Sequence, residues 1–396
     1  MDSPRSTELN IVTDAQKLLK FCFIMPYDSL SRKANICFTM LCHLWILLDC
    51  SPPMAVVVYQ IAIGIEDVYA TVENVIAIFN YLIFVYTCIC FTIQLVNLEK
   101  IFNDIRIFLE FCDITVIQNA EKDVQFYTKL FTVYFCFGVL VNGLIPLMNM
   151  SNCRKTRVTE FYQKYDPCGN IVRNLYPFDT RGTVRTFSLD IAKIITTYFI
   201  CIGYLGVSMV LIGLFIHIIA QIKNYESKLV TIFDDASNKD VKEMKENVKF
   251  CVRYHLTIVN YAERVFAVYN KLILVHISIT STVFGLLLFF ILKVENYPDK
   301  FRYTAQLAGW TAMLFITCYY GQRVTDESSR IIDAAYSCSW YEAPVSLQKS
   351  IQIMILRAQR PLTLKAASIG VISLVTFFKV IKGAYSFFTV MVTVSD

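Results

Sequence analysis

The sequence predicts an all-α membrane protein with seven transmembrane helices, on three observations. Of 396 residues, 56% are hydrophobic and only 17% are charged, against about 45 to 50% and about 25% in soluble domains. A helix needs about 20 mostly apolar residues to cross hydrocarbon, and residues 130–150, 194–222, 272–292 and 303–322 contain no Asp, Glu, Lys or Arg. The basic residues are divided unevenly between the two sides that such segments define. Disorder and a soluble two-domain enzyme are excluded by the same composition. The net charge of +5 is dispersed, so no basic stripe suited to nucleic acid is present.

Residues 1–35 form a polar tail whose start lacks the apolar core and cleavage site of a signal peptide, so insertion is expected to use internal segments. The block 36–222 holds the first four crossings. Residues 36–59 are interrupted by Asp49 and Pro52-Pro53, expected to mark the emerging end; residues 75–98 are extended upstream by Glu66-Asp67 and Glu73-Asn74. Residues 130–150 and 194–222 follow, separated by a long loop at about 150–186. At its edge lies the one Asn-x-Ser/Thr tripeptide, which makes Asn149 a candidate glycosylation site. Cys153 and Cys168 in this loop are read either as an extracellular disulfide or as two separate thiols. Most of the 14 cysteines, Cys88, Cys90, Cys136 and Cys201 among them, sit in apolar runs and are read as small hydrophobes.

In the stretch 223–271, Val241, Met244, Val248, Cys251, His255, Ile258, Ala262 and Val265 recur at steps of three and four. That spacing predicts an amphipathic helix running into the fifth crossing, with His255 as a packing residue on its apolar stripe. The fifth and sixth crossings occupy 272–322. Residues 323–360 alternate charges with Ile331, Ile332, Tyr336, Trp340, Leu347, Ile351 and Ile355, and read as cytoplasmic anchor helices broken near Pro344 and Pro361. The last crossing lies in 361–394. There Thr376, Lys379, Lys382, Ser386, Thr389 and Thr393 form a polar stripe at helical spacing. Polar groups at membrane depth usually face protein or water.

Lys and Arg are biased toward the cytoplasm. A cytoplasmic N-terminus places 23 of them inside against 10 outside, and an odd number of crossings puts the C-terminus outside. Asn149 then faces the exterior. A G-protein-coupled receptor requires the reverse orientation, and neither Asp-Arg-Tyr after the third crossing nor Asn-Pro-x-x-Tyr in the last is present. A transporter would show paired halves, and no internal repeat is found. His43, His217, His255 and His276 form no metal-ligand spacing, and no nucleophile motif or phosphate loop occurs. No enzyme activity, metal or cofactor is expected.

A more specific signal lies between Cys318 and Met391. It comprises GQRVTDES from Gly321, IIDAAY ending at Tyr336 with Trp340 four residues on, MILRAQRP ending at Pro361, and FFKVIKGAYS ending at Ser386. In order and spacing these closely resemble the C-terminal signature of insect odorant receptors; the rest of the chain is similar in architecture alone. Gustatory receptors share the fold and supply the alternative, a gustatory-receptor-like ligand-gated channel. Their closing pattern of Thr-Tyr, five apolar residues and Gln-Phe is not met, since Ala384-Tyr385 and Met391 stand in its place.

The resemblance implies an odorant-gated, nonselective cation channel in the cell membrane of an olfactory neuron dendrite. The partner it implies is the odorant receptor co-receptor in a heterotetramer, with the seventh crossing lining one shared pore within membrane lipid. This chain looks like a ligand-tuning subunit, because the co-receptor's large insertion between the fourth and fifth crossings is missing. The family places the ligand in the outer half of the second to sixth helices. Depth along each helix selects Val72, Val75, Ile76, Phe79, Phe137, Val141, Tyr198, Ile202 and Trp310, an apolar and aromatic set suited to a small volatile odorant. Alignment of Tyr385 with the family's tyrosine implies a constriction at Phe388, flanked by Thr389, with a further ring at Met391.

Overall fold

The computed structural model of the chain describes residues 11–27, 29–63, 68–156, 168–169, 171–172, 183–233, 241–366 and 370–395. Glu66, Asp67 and much of the expected outer loop lie outside the described residues. Among the described residues ten α-helices follow in order: α1 (Thr13–Phe21), α2 (Arg32–Ile63), α3 (Val68–Asp104), α4 (Ile114–Met148) and α5 (Met150–Thr156), then α6 (Thr183–Val230), α7 (Val241–Lys293), α8 (Tyr297–Ser337), α9 (Val345–Ala358) and α10 (Leu374–Ser395). A small antiparallel hairpin of β1 (Lys365–Ala366) and β2 (Gly370–Val371) precedes α10.

By length and composition, six of the described helices are suited to cross a membrane: α2, α3, α4, α6, α7 and α10. The expected sixth crossing, residues 303–322, lies inside the 41-residue α8. Thr304, Gln306, Thr311 and Thr317 dilute its apolar content. Helix α6 is the centre of the bundle, with 83% of its apolar stretch buried against 22% in α2 and α4. The latter two turn Leu44, Leu48, Val133 and Leu140 outward, as lipid-facing helices do.

Helix α1 lies along α6. At Gly206 a Cβ would stand only 2.9 Å from the Leu19 side chain, so glycine permits this close approach. The N-terminus of α1 is capped from α4 rather than by its own residues. The buried Glu121 carboxylate accepts the Val12 N–H at 2.6 Å, the Thr13 N–H at 3.0 Å and the Thr13 hydroxyl at 2.9 Å, and meets His217 Nε2 at 3.3 Å. Negative charge at a helix N-terminus is stabilising, the more so in a buried site.

Helix α2 runs through Pro52 and Pro53, where an emerging end was expected. Each proline lacks an N–H, which orphans the carbonyl four residues earlier. Both carbonyls are met by side chains: Leu48 accepts from Ser51 Oγ at 2.8 Å, and Asp49 accepts from Lys193 Nζ of α6. The helix therefore continues with both of these carbonyls satisfied.

At the opposite end of the bundle, the expected amphipathic stripe forms the first half of α7. Met244, Val248, Cys251, His255, Ile258, Ala262 and Val265 are buried, while Val241 at the helix start is exposed. His255 stacks on Tyr225 at 5.4 Å, and Tyr254 on Phe111 at 4.8 Å. The signature residues sit beside this base. Gly321 abuts the Ile372 carbonyl, where a Cβ would approach to 2.7 Å. Ser328 Oγ accepts the Leu362 N–H at 2.9 Å, and Thr325 Oγ1 donates to the Leu362 carbonyl at 3.2 Å. Glu327 meets Arg323 at 2.8 Å, Arg330 at 3.2 Å and Lys223 of α6 at 3.5 Å. Burial raises its carboxyl, but the Arg323 hydrogen bond and the neighbouring charges outweigh that and hold it below the usual carboxylate range.

Removing the α4 cap should loosen α1. Glu121→Ala is expected to cost about 2 to 4 kcal/mol, since the three charge-assisted hydrogen bonds from Val12 and Thr13 are lost and their donors stay wholly or partly buried. Glu121→Gln, which keeps an acceptor, should cost less. Thermal unfolding of the purified variants checks this order; equal stability of Glu121→Ala and the wild type would refute it.

Candidate functional site

A cavity of about 180 Å³ lies between α2, α3, α4, α6 and α8, and Ile171 and Val172 also line it. Each helix contributes a stripe at steps of three or four: Glu73, Ile76, Asn80 and Ile83 from α3; Tyr134, Gly138 and Asn142 from α4; Lys193, Thr197, Cys201 and Tyr204 from α6; and Arg302, Gln306 and Trp310 from α8. Asp49, Cys50 and Pro53 close the side formed by α2. Cross-helix hydrogen bonds fix the walls: Trp45 Nε1 donates to Thr196 at 2.9 Å, and the Tyr134 hydroxyl to the Ala305 carbonyl at 2.6 Å.

Two acidic and two basic side chains line the cavity, in two opposite pairs. Lys193, 4% exposed, meets Asp49 at 3.2 Å, and Arg302, 2% exposed, meets Glu73 at 2.8 Å. Arg302 also donates to the Ile171 carbonyl at 3.0 Å and lies over the Tyr303 ring at 4.6 Å; the Tyr303 hydroxyl donates to Glu73. Cys153 and Cys168 are joined by a disulfide. It ties α5 to the short segment that reaches Ile171, which places the bond at the cavity end of the bundle. Asn149 is half-buried at the end of α4, beside α5.

Of the nine residues selected by depth, Ile76 and Trp310 line the cavity. Val72, Val75 and Phe79 pack with Trp310 and Met391 on a second buried cluster that contains Ile76, Leu287, Phe290 and Tyr303. Tyr198 lies edge-on to Phe21 at 5.8 Å, and Ile202 belongs to the main core. Phe137 is 52% exposed, and Val141 is half-buried. Depth alone does not fix direction: one residue along a helix turns a side chain by about 100°. Phe137 and Tyr198 thus each sit one position from a lining residue, Gly138 and Thr197. Sequence reasoning passed over the polar members, Glu73, Asn80, Asn142, Lys193, Arg302 and Gln306. The readable signal was polar side chains at helical spacing within apolar helices, Glu73 to Asn80 and Arg302 to Gln306.

In α10, Thr376, Val380 and Ala384 are buried, with Ala384 and Phe387 against Gly285 of α7. Lys379, Lys382, Tyr385 and Ser386 are exposed, and Phe388, Thr389 and Met391 are half-buried. The hydroxyls of Ser386, Thr389 and Thr393 donate to carbonyls of their own helix at 2.8 to 3.0 Å. They are thus satisfied without a water-filled path. The rings of Tyr385 and Phe388 lie 5.8 Å apart.

Gly138 offers a direct test of the cavity. A Cβ there meets no atom within 4 Å, so a larger side chain has room, and replacing a helical glycine removes up to about 1 kcal/mol of helix penalty. Gly138→Leu should fold as stably as the wild type and weaken any ligand that uses the cavity by about tenfold or more. Ligand-induced thermal stabilisation measures both. Undiminished binding in that variant would place the ligand elsewhere.

The family model described as 7tm Odorant receptor matches residues 67–385. Odorant receptor 67c of Drosophila melanogaster is 28% identical over 224 residues, 55% of this chain and 54% of that protein. Odorant receptor 10 of Aedes albopictus is 25% identical, over 51% of this chain and 54% of the other. The odorant receptor coreceptor of Anopheles gambiae is 25% identical over 39% of this chain and 33% of its own length. The chain spans about half the length of the first two relatives. In fold it is similar to the insect olfactory receptor OR5 from Machilis hrabei, solved in complex with eugenol, with a TM-score of 0.76, 17% identity and 97% of both chains covered. The match covers most of the described helices, and the chain belongs to the insect odorant receptor family, a family of multi-pass membrane receptors.

Proposed function

We propose that this chain is the ligand-tuning subunit of an odorant-gated, nonselective cation channel that opens a shared pore with the odorant receptor co-receptor in a heterotetramer. In this reading α8 supplies the sixth of seven crossings, the N-terminus is cytoplasmic, and the Cys153–Cys168 disulfide faces the exterior. The cavity takes a small volatile ligand, α9 and the end of α8 form a cytoplasmic anchor, and α10 lines the pore.

One observation carries the proposal. Met391 of α10 packs on the same buried cluster as Ile76, Tyr303 and Trp310, which also line the cavity. A ligand that shifts those side chains presses on close-packed neighbours that reach α10, and packed interiors transmit such displacements. The exposed faces of a single chain fit the assembly. Tyr336, Tyr341, Val345, Ile353 and Leu356 are exposed apolar residues at the base, where partner helices would cover them. Lys379 and Lys382 of α10 are exposed beside Phe378 and Val390, a mixed face poorly suited to lipid.

Expressed alone, the chain should carry little odorant-evoked current, and with the co-receptor a robust one. An N-terminal epitope should be stained only in permeabilised cells. Staining in intact cells together with co-receptor-independent signalling would reject the proposal.

For the gate, Phe388 is the constriction, flanked by Thr389, while Met391 stands one turn outward with its side chain on the cluster beside the cavity. Phe388→Ser should raise basal current in the assembled channel, because a hydroxyl keeps an apolar constriction wet. Unchanged basal current in that variant, combined with altered gating in Thr389→Val, would move the assignment to the polar stripe.

A further inference from the structure

Among the polar atoms of the cavity residues, Asn80 Oδ1 on α3 and the Tyr204 hydroxyl on α6 are buried without a hydrogen-bond partner among the described residues. Tyr204 is 6% exposed, and its ring is held between His276 of α7, stacked at 4.8 Å, and Trp310 at 4.9 Å. The ring thus packs between two aromatic side chains, and the hydroxyl at its end meets no partner among the described residues. The ionisable lining groups place no charge demand on a ligand, because Lys193 is matched by Asp49 and Arg302 by Glu73.

From this we infer that the cavity selects neutral ligands carrying a hydroxyl group, alcohols or phenols, with the ligand hydroxyl donating to Asn80 Oδ1 and accepting from the Tyr204 hydroxyl. The inference rests on the reading of the cavity as the ligand site and adds the class of ligand. A buried acceptor and a buried donor left unmet both raise the energy of the empty state, and a ligand that meets them relieves that cost. An ether of the same shape can accept from Tyr204 but leaves Asn80 unmet. A hydrocarbon leaves both. Neither atom is open to water in the empty cavity, so the ligand has to reach them by a small rotation of the Asn80 amide and displacement of the Tyr204 ring. Trp310 supplies an apolar face for the rest of the molecule. Sites built to hydrogen-bond a substrate hydroxyl discriminate strongly against analogues that lack it.

The test uses matched probes: 2-phenylethanol, its methyl ether and propylbenzene, with 1-octanol, its methyl ether and nonane as the aliphatic set. Current is measured in cells expressing the full chain with the co-receptor, and thermal stabilisation is measured on the purified chain. The wild type should prefer each alcohol over its ether by about tenfold, and over the hydrocarbon by more. Asn80→Leu should erase the preference for alcohol over ether while the ether response persists. Tyr204→Phe, which removes a single oxygen and keeps the stacked ring, should bring ether and hydrocarbon together.

A wild type that treats the three members of each set alike overturns the inference, and means that enclosed water satisfies the two atoms. Preference that survives in both variants overturns it as well. The cavity reading fails separately, where Gly138→Leu leaves the responses to all six probes unchanged. Silence of the wild type to every probe in both measurements counts against both.

Discussion

An ionised group inside an apolar bundle has to find its counter-charge there, and the two pairs beside the cavity show how far that requirement shapes the molecule. Arg302 cannot be neutralised at any accessible pH, so its burial at 2% exposure depends on Glu73, the Ile171 carbonyl and the face of Tyr303. These partners come from α3, α8 and the segment after the disulfide. Removing one member of such a set leaves a buried charge unpaired, at a cost of about 3 to 5 kcal/mol. The cavity walls are therefore held in register by electrostatic necessity at one end and by ordinary packing on α6 along the rest.

This division explains what could be read in the amino-acid sequence. Apolar runs revealed the long helices, and the three-and-four spacing from Met244 to Val265 revealed the buried stripe of α7, because periodicity is a local property. The passage of α2 through Pro52 and Pro53 was not legible, since it depends on Lys193 arriving from α6. Neither was the start of the last helix. Lys365–Ala366 and Gly370–Val371 pair as two short antiparallel strands, and α10 begins at Leu374. At the cavity, depth located the right stretches of α3, α4, α6 and α8, but a 100° step separates a lining side chain from its neighbour. Only tertiary packing decides which of Phe137 and Gly138 faces inward.

The signature residues turn out to do mechanical work far from the cavity. Thr325 and Ser328 hold both backbone groups of Leu362, and Gly321 lets the chain pass close to α8 at Ile372. Together they suspend the hairpin, and through it the first turn of α10, from α8. The other end of α10 leans on the cluster shared with the cavity wall. One helix is thus clamped at its base and loaded near its tip. Such an arrangement converts a small lateral push into tilt about the clamp.

The proline pair in α2 also bears on how the chain is assembled in time. The carbonyl of Asp49 is satisfied by Lys193, a residue 144 positions later in the sequence. At a synthesis rate of about 5 to 20 residues per second, that interval lasts roughly 7 to 30 s. Throughout it, α2 carries an unmet carbonyl and an unmatched carboxylate, neither of which hydrocarbon tolerates. Burial of that stretch of α2 in an apolar setting is therefore penalised until α6 delivers the ammonium. The packing of α2 is thereby coupled to the arrival of α6.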